Sequence, residues 1–493
     1  MPKPKNNIRT RFAPSPTGYL HIGGLRTALY SYLLAKKNKG VFILRLEDTD
    51  QERLVPGAAE KLIEALNNFG LTPDEGLVMS NGKISSRGKY GPYIQSEKIA
   101  YYQKIAQQLV TENKAYYCFC STARIEELRN KQRADKQIPK YDGFCRNIEP
   151  SEASKRLKMG HKAVIRYKVS PDTKVTFEDK IYGQITIKSD DLDDFVILKS
   201  DGFPTYHLAN VIDDHDMKIT QVIRGEEWLP STPKHVLLYQ ALNYQRPEFV
   251  HLPLLLNPDR SKLSKRQGDV AAEDFLTQGY LPQALLNYVA LLGWNPGTEQ
   301  EIFSLADLVK AFSLEKINKS GAIFDRQKLD WFNAEYIRKI LTERGKEYKN
   351  LVALSATYLP QNKDKAEAVL KLFGSRINKL SELTELSKFL WQLPKYEANK
   401  LIFKKSTAQN TKLGLQLAYD ALNSTSAKQW KNEELNKLLQ DIVTKNNLTP
   451  GDVFWPIRFA LSGLDKSPSP VELLEFLGKE ESLKRINLGI GGM

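Results

Sequence analysis

The chain is poor in cysteine, has no long apolar run and is short of negative charge. Three cysteines in 493 residues exclude a disulfide scaffold and fit a reducing, cytoplasmic setting. No run of about 18 apolar residues occurs, so no helical membrane span and no membrane partner are expected. The opening Met1-Pro-Lys-Pro-Lys-Asn-Asn7 has no apolar stretch and is not Arg/Ser-rich. It reads as neither a secretory signal nor a transit peptide. Internal repeats and low-complexity tracts are absent too.

What is present is a chain long enough for roughly three domains. Its hydrophobic content of 41% and charged content of 26% are ordinary for a globular protein. Lys and Arg number 72 against 58 Asp and Glu, a net charge of +14. That excess points to a polyanionic partner, nucleic acid first, ahead of simple solubility.

The stretch from Arg9 to Tyr30 organises the rest. An extended run over residues 8–13 meets Pro14 and Pro16, which stop any helix and remove two backbone donors. Gly18 permits a sharp turn. Beyond His21 the spacing becomes helical, with Ile22, Leu25, Leu29, Tyr32 and Leu33 near one face. His21, Gly23 and Gly24 fall in the first turn, where unpaired N–H groups and a partial positive charge suit an anion such as phosphate. An ordinary strand–helix connection has the same local pattern, so the stretch alone does not decide.

Val41-Phe-Ile-Leu-Arg-Leu46 is an apolar run that reads as a strand buried in a parallel sheet, and Glu47-Asp-Thr-Asp50 follows it. Strand, helix and strand predict a right-handed βαβ unit, with ligands beyond the strands' carboxyl ends. A helix is expected over 56–69. Residues 91–199 change character, with a helix over 92–109, a charged helix over 123–133 and short β-like runs at 164–169, 183–187 and 195–198. All three cysteines, Cys118, Cys120 and Cys145, lie here. Such a cluster suits zinc. The fourth ligand stays open, with Tyr141 nearby, His161 further on and Asn147 a poor donor; a hairpin with buried thiols is the alternative. The sheet resumes near residue 204. Tyr206 and Asn210 share a helix face, a strand over 221–224 ends at Arg224, and a last apolar run over 249–256 leads into a loop with Lys262, Lys265 and Arg266. From residue 275 the chain turns helical, with basic and aromatic residues mixed towards the end, which suits a grip on RNA.

Taken together, these segments resemble class I aminoacyl-tRNA synthetases. His21-Ile-Gly-Gly24 is similar to the first signature of that class, whose last position is more often His. Lys262-Leu-Ser-Lys-Arg266 is similar to the second, the lysine loop. The context Pro14-Ser-Pro-Thr-Gly18, Arg45-Leu-Glu-Asp-Thr-Asp50, Thr205-Tyr-His-Leu-Ala-Asn210 and Arg224-Gly-Glu-Glu-Trp228 resembles the bacterial-type glutamyl-tRNA synthetases. The likeness runs through almost the whole chain and is weakest after about residue 345.

The resemblance implies an α/β architecture: a Rossmann-like parallel-sheet catalytic domain in two halves (1–90 and 200–268), an α+β insertion at 91–199 for the acceptor end, a helical stem-contact region at 269–340 and an all-α anticodon-binding domain at 341–493. It implies ATP-dependent activation of L-glutamate and transfer to the terminal adenosine of tRNA-Glu, with tRNA-Gln an open second acceptor. ATP would come with Mg2+, and the protein would act as a monomer. His21, Gly23, Gly24, Lys262 and Lys265 would carry catalysis. ATP would meet Pro14, Thr17, Gly18, His21, Gly24, Trp228, Lys265 and Arg266. Glutamate would meet Arg11, Ala13, Ser15, Glu47, Tyr206, Asn210 and Arg224. Zinc would take Cys118, Cys120, Cys145 and, because the His expected in some relatives is Asn147 here, Tyr141.

Rival readings are weaker. A glutamine-specific relative is disfavoured by Pro14-Ser-Pro-Thr17 and by the helical character of 340–493. A truncated relative that modifies a tRNA base would lack that helical region. Small nucleotidylyltransferases share a similar first motif, but this chain is far too long for them and carries the lysine loop. A non-catalytic tRNA-binding protein derived from a synthetase is opposed by intact Arg11, His21, Glu47 and Lys265.

Overall fold

The computed structural model describes residues 8–263 and 270–493. They divide into two compact units: residues through Thr277 with Pro282–Leu329, and Gln278–Leu281 with Asp330–Met493.

The first unit is built on β1 (Arg9–Phe12), β2 (Val41–Leu44), β3 (Glu75–Ser80), β4 (Lys83–Arg87), β5 (Ala115–Cys118), β6 (Val164–Tyr167), β7 (Lys174–Asp179), β8 (Gly183–Lys188), β9 (Val196–Leu198), β10 (Gln221–Gly225) and β11 (Glu248–Leu252). Eight of these form one sheet in the order β4-β3-β2-β1-β10-β11-β7-β8. Its six central strands are parallel, and the edge pairs β3–β4 and β7–β8 are antiparallel. Phe42, Ile43 and Leu44 are each 0% exposed, as a strand covered on both faces requires. The helix Ile22–Lys37 between β1 and β2 buries Ile22, Leu25, Leu29 and Leu33 and carries Lys36 and Lys37 in its last turn, where cations suit the helix dipole.

Two features depart from the expected pattern. β2 stops at Leu44 rather than residue 46, because the chain then turns to pair with another segment: Leu46 N–H donates to Tyr93 O at 2.9 Å and Gln95 N–H to Leu46 O at 3.1 Å. The stretch expected as an insertion, 91–199, is not wholly separate from the main sheet. β5, β6 and β9 form a three-stranded antiparallel sheet of their own, but the β7–β8 hairpin joins the main sheet beside β11, with Asp179 opposite Phe249. Val175, Phe177 and Asp179 alternate inward along β7, which gives that strand one face to bury.

The second unit has no strand among its described residues. Its helices include Ala408–Ser424, Asn432–Lys445, Pro450–Ser462 and Pro470–Gly492, the last kinked at Gly478. Thr449 with Asp452, and Ser469 with Glu472, form reciprocal capping boxes ahead of Pro450 and Pro470. Leu415, Leu422, Leu439, Ile457, Leu461 and Leu473 fill the core.

Candidate active site

The loop after β1 is pinned by its neighbours: Glu47 N–H donates to Pro14 O at 2.9 Å and Val55 N–H to Pro16 O at 3.1 Å. Gly18, at φ 147°, makes the turn that L side chains resist. His21 then caps the helix, its Nδ1 accepting the Gly23 N–H at 2.9 Å. An accepting Nδ1 puts the hydrogen of the neutral ring on Nε2, making that atom the donor. A side chain at Gly23 would bring a Cβ within 3.2 Å of this Nδ1, and one at Gly24 within 3.2 Å of Leu20 Cδ1. Both glycines therefore keep the cap and the helix start tight against the loop.

Beyond the carboxyl ends of β1, β2 and β10 lies a cleft of about 960 Å³. The expected residues Arg11, Ala13, Pro14, Ser15, Thr17, Gly18, His21, Gly23, Gly24, Glu47, Tyr206, Asn210, Arg224, Trp228 and Lys262 all line it. Lys265 and Arg266 lie outside the described residues.

The floor is a buried charge network. Arg11 Nε donates to Asp214 Oδ1 at 3.1 Å and its Nη1 to the Ile223 carbonyl at 3.3 Å. Arg45, fully buried, shares Asp214 through Nη1 at 2.7 Å and donates to Glu47 Oε1 at 2.9 Å. Asn210 Nδ2 donates to the same Glu47 oxygen at 3.1 Å. Asp213 accepts from Lys98, Gln95 and Tyr102 at 2.7 to 2.9 Å. Burial pushes the Glu47 carboxyl up, against the pull of Arg45. Burial also works against ionised Asp214, but Arg11 and Arg45 together hold that carboxyl below its usual value.

Arg224 sits differently. Only 5% exposed, it meets no carboxylate directly among the described residues. Its Nε donates to His251 Nε2 at 3.0 Å, Nη1 to Tyr206 Oη at 2.8 Å and to His235 Nδ1 at 3.2 Å, and Nη2 to Thr232 Oγ1 at 2.9 Å. The Tyr206 ring in turn lies 4.4 Å from that of half-exposed Trp228. Two buried guanidiniums at the ends of adjacent strands suit a dianionic or carboxylate ligand. The capped helix start in the same cleft suits phosphate.

The sequence reading did not single out Arg45, Asp213, Asp214, Thr232, His235 or His251 as site residues. One signal was present: Asp213 and Asp214 continue the stripe of Tyr206 and Asn210 at helical spacing. For His251 and Thr232 no local pattern marks them.

The three cysteines come together with their sulfurs within 4.8 Å of one another. Cys120 Sγ lies 3.6 Å from Cys145 Sγ, and Tyr141 Oη lies 3.3 Å from Cys118 Sγ and 3.5 Å from Cys120 Sγ. Tetrahedral zinc with sulfur at about 2.3 Å spaces its sulfurs by roughly 3.8 Å, so three thiols and a phenol oxygen fit four corners. Asn147 and His161 are exposed, and His161 is not in the sulfur group. Burial opposes ionisation of Cys118, but the Tyr141 hydroxyl and the Arg166 guanidinium beside it leave its thiol below the usual value. Burial pushes Cys120 up to about 11.

Comparison with known proteins matches this geometry to a family. The family model of tRNA synthetases class I (E and Q), catalytic domain, matches residues 7–331, and an anticodon binding domain model matches residues 333–490. A glutamate–tRNA ligase of Clostridium novyi (strain NT) is 45% identical over 491 residues, covering 98% of this chain and 97% of its own length. One from Alkaliphilus metalliredigens (strain QYMF) is 42% identical over 489 residues, covering 97% and 98%. A crystal structure of a glutamate tRNA ligase from Elizabethkingia meningosepticum CCUG26117 in complex with its amino acid superposes with a TM-score of 0.86 at 37% identity, covering 98% of this chain and 99% of that one.

Proposed function

Because the chain belongs to the class I tRNA synthetases (E and Q), we propose that it is a glutamate–tRNA ligase working from the cleft at the ends of β1, β2 and β10. ATP and glutamate react first. A glutamate α-carboxylate oxygen attacks the α-phosphorus, the bond to pyrophosphate breaks, and glutamyl-adenylate forms. A hydroxyl of the terminal adenosine of tRNA-Glu then attacks the acyl carbon and AMP leaves.

The observation that carries this reading is the pair of buried guanidiniums, Arg11 and Arg224, in one cleft with the His21-capped helix start. Negative charge gathers on the α-phosphate and departing pyrophosphate, so positioning and electrostatic stabilisation dominate. His21 and the backbone at Gly23 and Gly24 serve the ATP phosphates, together with Pro14, Thr17, Gly18 and the edge of Trp228. Lys262, Lys265 and Arg266 of the second motif supply cationic charge to them. Mg2+ enters with ATP and requires no dedicated protein cage.

Arg11 and Arg224 take the carboxylates of glutamate, Glu47 its α-amino group, and Ala13, Ser15, Tyr206 and Asn210 complete the pocket. Glutamine has nearly the same shape but no side-chain charge, and it leaves a buried guanidinium unpaired. Breaking a buried pair in this way costs about 3–5 kcal/mol, enough for discrimination on the order of a hundredfold or more.

Residues 91–199 serve the acceptor end, 269–340 the tRNA stem and 341–493 the anticodon; the anticodon match and the +14 charge support this division. Zinc held by Cys118, Cys120, Tyr141 and Cys145 would brace the base of the small sheet.

The test is aminoacylation of tRNA-Glu and tRNA-Gln transcripts with labelled glutamate and glutamine. Glutamyl-tRNA-Glu is the expected product, and the tRNA-Gln arm decides the second acceptor. No glutamyl-tRNA from either transcript with folded protein would overturn the reading.

A further inference from the structure

Apart from Tyr206, Arg224 is held by His251, His235 and Thr232, which do not line the cleft, and the hydrogen bonds run in one direction only. Its Nε carries a single hydrogen, donated to His251 Nε2 at 3.0 Å, so that nitrogen must be the acceptor. His251 then carries its hydrogen on Nδ1, which faces Asp179 Oδ2 at 2.7 Å. Asp179 and His251 are 1% and 0% exposed. At the other end of the guanidinium, His235 Nδ1 accepts from Nη1. Its Nε2 must donate to His207 Nδ1 at 3.1 Å. Thr232 Oγ1 accepts from Nη2. Four of the five guanidinium N–H groups are thus committed.

We infer that Asp179 and His251 form a positioning dyad for Arg224: the carboxylate fixes the His251 tautomer, and the tautomer fixes the plane in which Arg224 presents its remaining N–H to a carboxylate ligand. The inference rests on the reading that Arg224 receives glutamate. Arg11 is salt-bridged directly to Asp214, whereas Arg224 pairs with no carboxylate among the described residues and reaches Asp179 only through His251. Its charge is therefore less compensated and more available to the substrate, and its direction depends on neutral imidazoles. Burial lowers the pKa of His235 and of His251, the latter against the pull of Asp179, which keeps both rings neutral. Asp179 closes β7, in the hairpin that the segment between the two halves of the sheet contributes. It also accepts the Ile181 and Tyr182 N–H groups through Oδ1 at 2.9 Å each, so the same side chain folds the hairpin turn and aims the arginine.

Two substitutions separate the roles. Asp179→Asn keeps an oxygen for the turn but offers His251 a donor, which inverts the tautomer and sets N–H against N–H at Arg224. His251→Gln keeps an acceptor for Arg224 and a donor for Asp179. Asp179→Asn should raise the glutamate KM about ten- to a hundredfold, with the ATP KM within about twofold. His251→Gln should leave it within about threefold of the parent. Equal effects of the two variants, or ATP and glutamate constants moving together, would overturn the dyad.

A second measurement needs no variant to fold. The 15N shifts of labelled histidine in the unmodified protein should report Nδ1–H at His251 and Nε2–H at His235 and His207. An Nε2–H tautomer at His251 would sink the inference by itself. The expected tautomers with a glutamate KM that Asp179→Asn leaves unchanged would instead reject Arg224 as the glutamate receptor.

Discussion

Asp214→Asn is the sharpest perturbation of the charged floor. The carboxylate is 1% exposed and lies against two guanidiniums, Arg11 at 3.1 Å and Arg45 at 2.7 Å. Substitution by Asn preserves the shape and removes one charge. Arg45 keeps Glu47 at 2.9 Å and a longer contact to Asp213 at 3.7 Å. Arg11 keeps the Ile223 carbonyl and, at best, a neutral amide oxygen where Asp214 Oδ1 stood, with no carboxylate to balance its charge. The loss is thus close to that of breaking one buried pair, about 3–5 kcal/mol. For a unit of this size that corresponds to a fall in Tm on the order of 5–10 °C. The variant should also change glutamate affinity more than ATP affinity, because Arg11 loses its buried counter-charge and the neutral amide holds it less firmly.

The pH dependence follows from the same pair. The Asp214 carboxyl is lower in the folded than in the unfolded protein, so its contribution is present above the unfolded value and is lost as pH falls through the folded one. The parent should therefore lose stability in acid more steeply than Asp214→Asn, and the gap between their Tm values should narrow below about pH 4. Thermal unfolding followed by circular dichroism across pH 3–7 measures both effects. A neutral-pH Tm within about 1 °C of the parent, with the glutamate KM unchanged, would refute the claim that Asp214 supports Arg11.

His21→Ala removes the helix cap and the ring donor together; kcat should fall about a hundredfold, roughly 3 kcal/mol in the barrier, while glutamate binding by calorimetry stays close to the parent. Metal analysis of chelator-washed protein should return about one zinc per chain, and Tyr141→Phe should reduce retention by about ten- to a hundredfold. Clearly substoichiometric zinc in the parent would count against a tightly held site.

How much of this was legible in the sequence depended on the range of the interaction responsible. His21, Gly23 and Gly24 were readable because a helix cap and a tight start are satisfied within three residues. Arg11 and Arg224 were named as site candidates through the family resemblance; their places at the ends of predicted strands, where α/β sheets bind ligands, agreed with it. Tyr206 and Asn210 were readable as one helix face, but the next turn of that face, Asp213 and Asp214, was left out. Two adjacent acids normally mark a solvated surface, and only the arrival of Arg11, Arg45 and Lys98 from elsewhere makes burial tolerable. The same limit explains the β7–β8 hairpin. Its alternation is short, its partner β11 lies some seventy residues on, and nothing local says which sheet it joins. The residues proposed to meet substrate were therefore legible, whereas those proposed to aim them were not, because a contact such as Asp179 to His251 exists only once the sheet order is set. Substitutions that alter glutamate affinity without touching glutamate should consequently fall at positions that meet only in the assembled sheet and the helix packed on it, such as Asp179 and His251 behind Arg224 and Asp214 behind Arg11, rather than around the motifs that first drew attention.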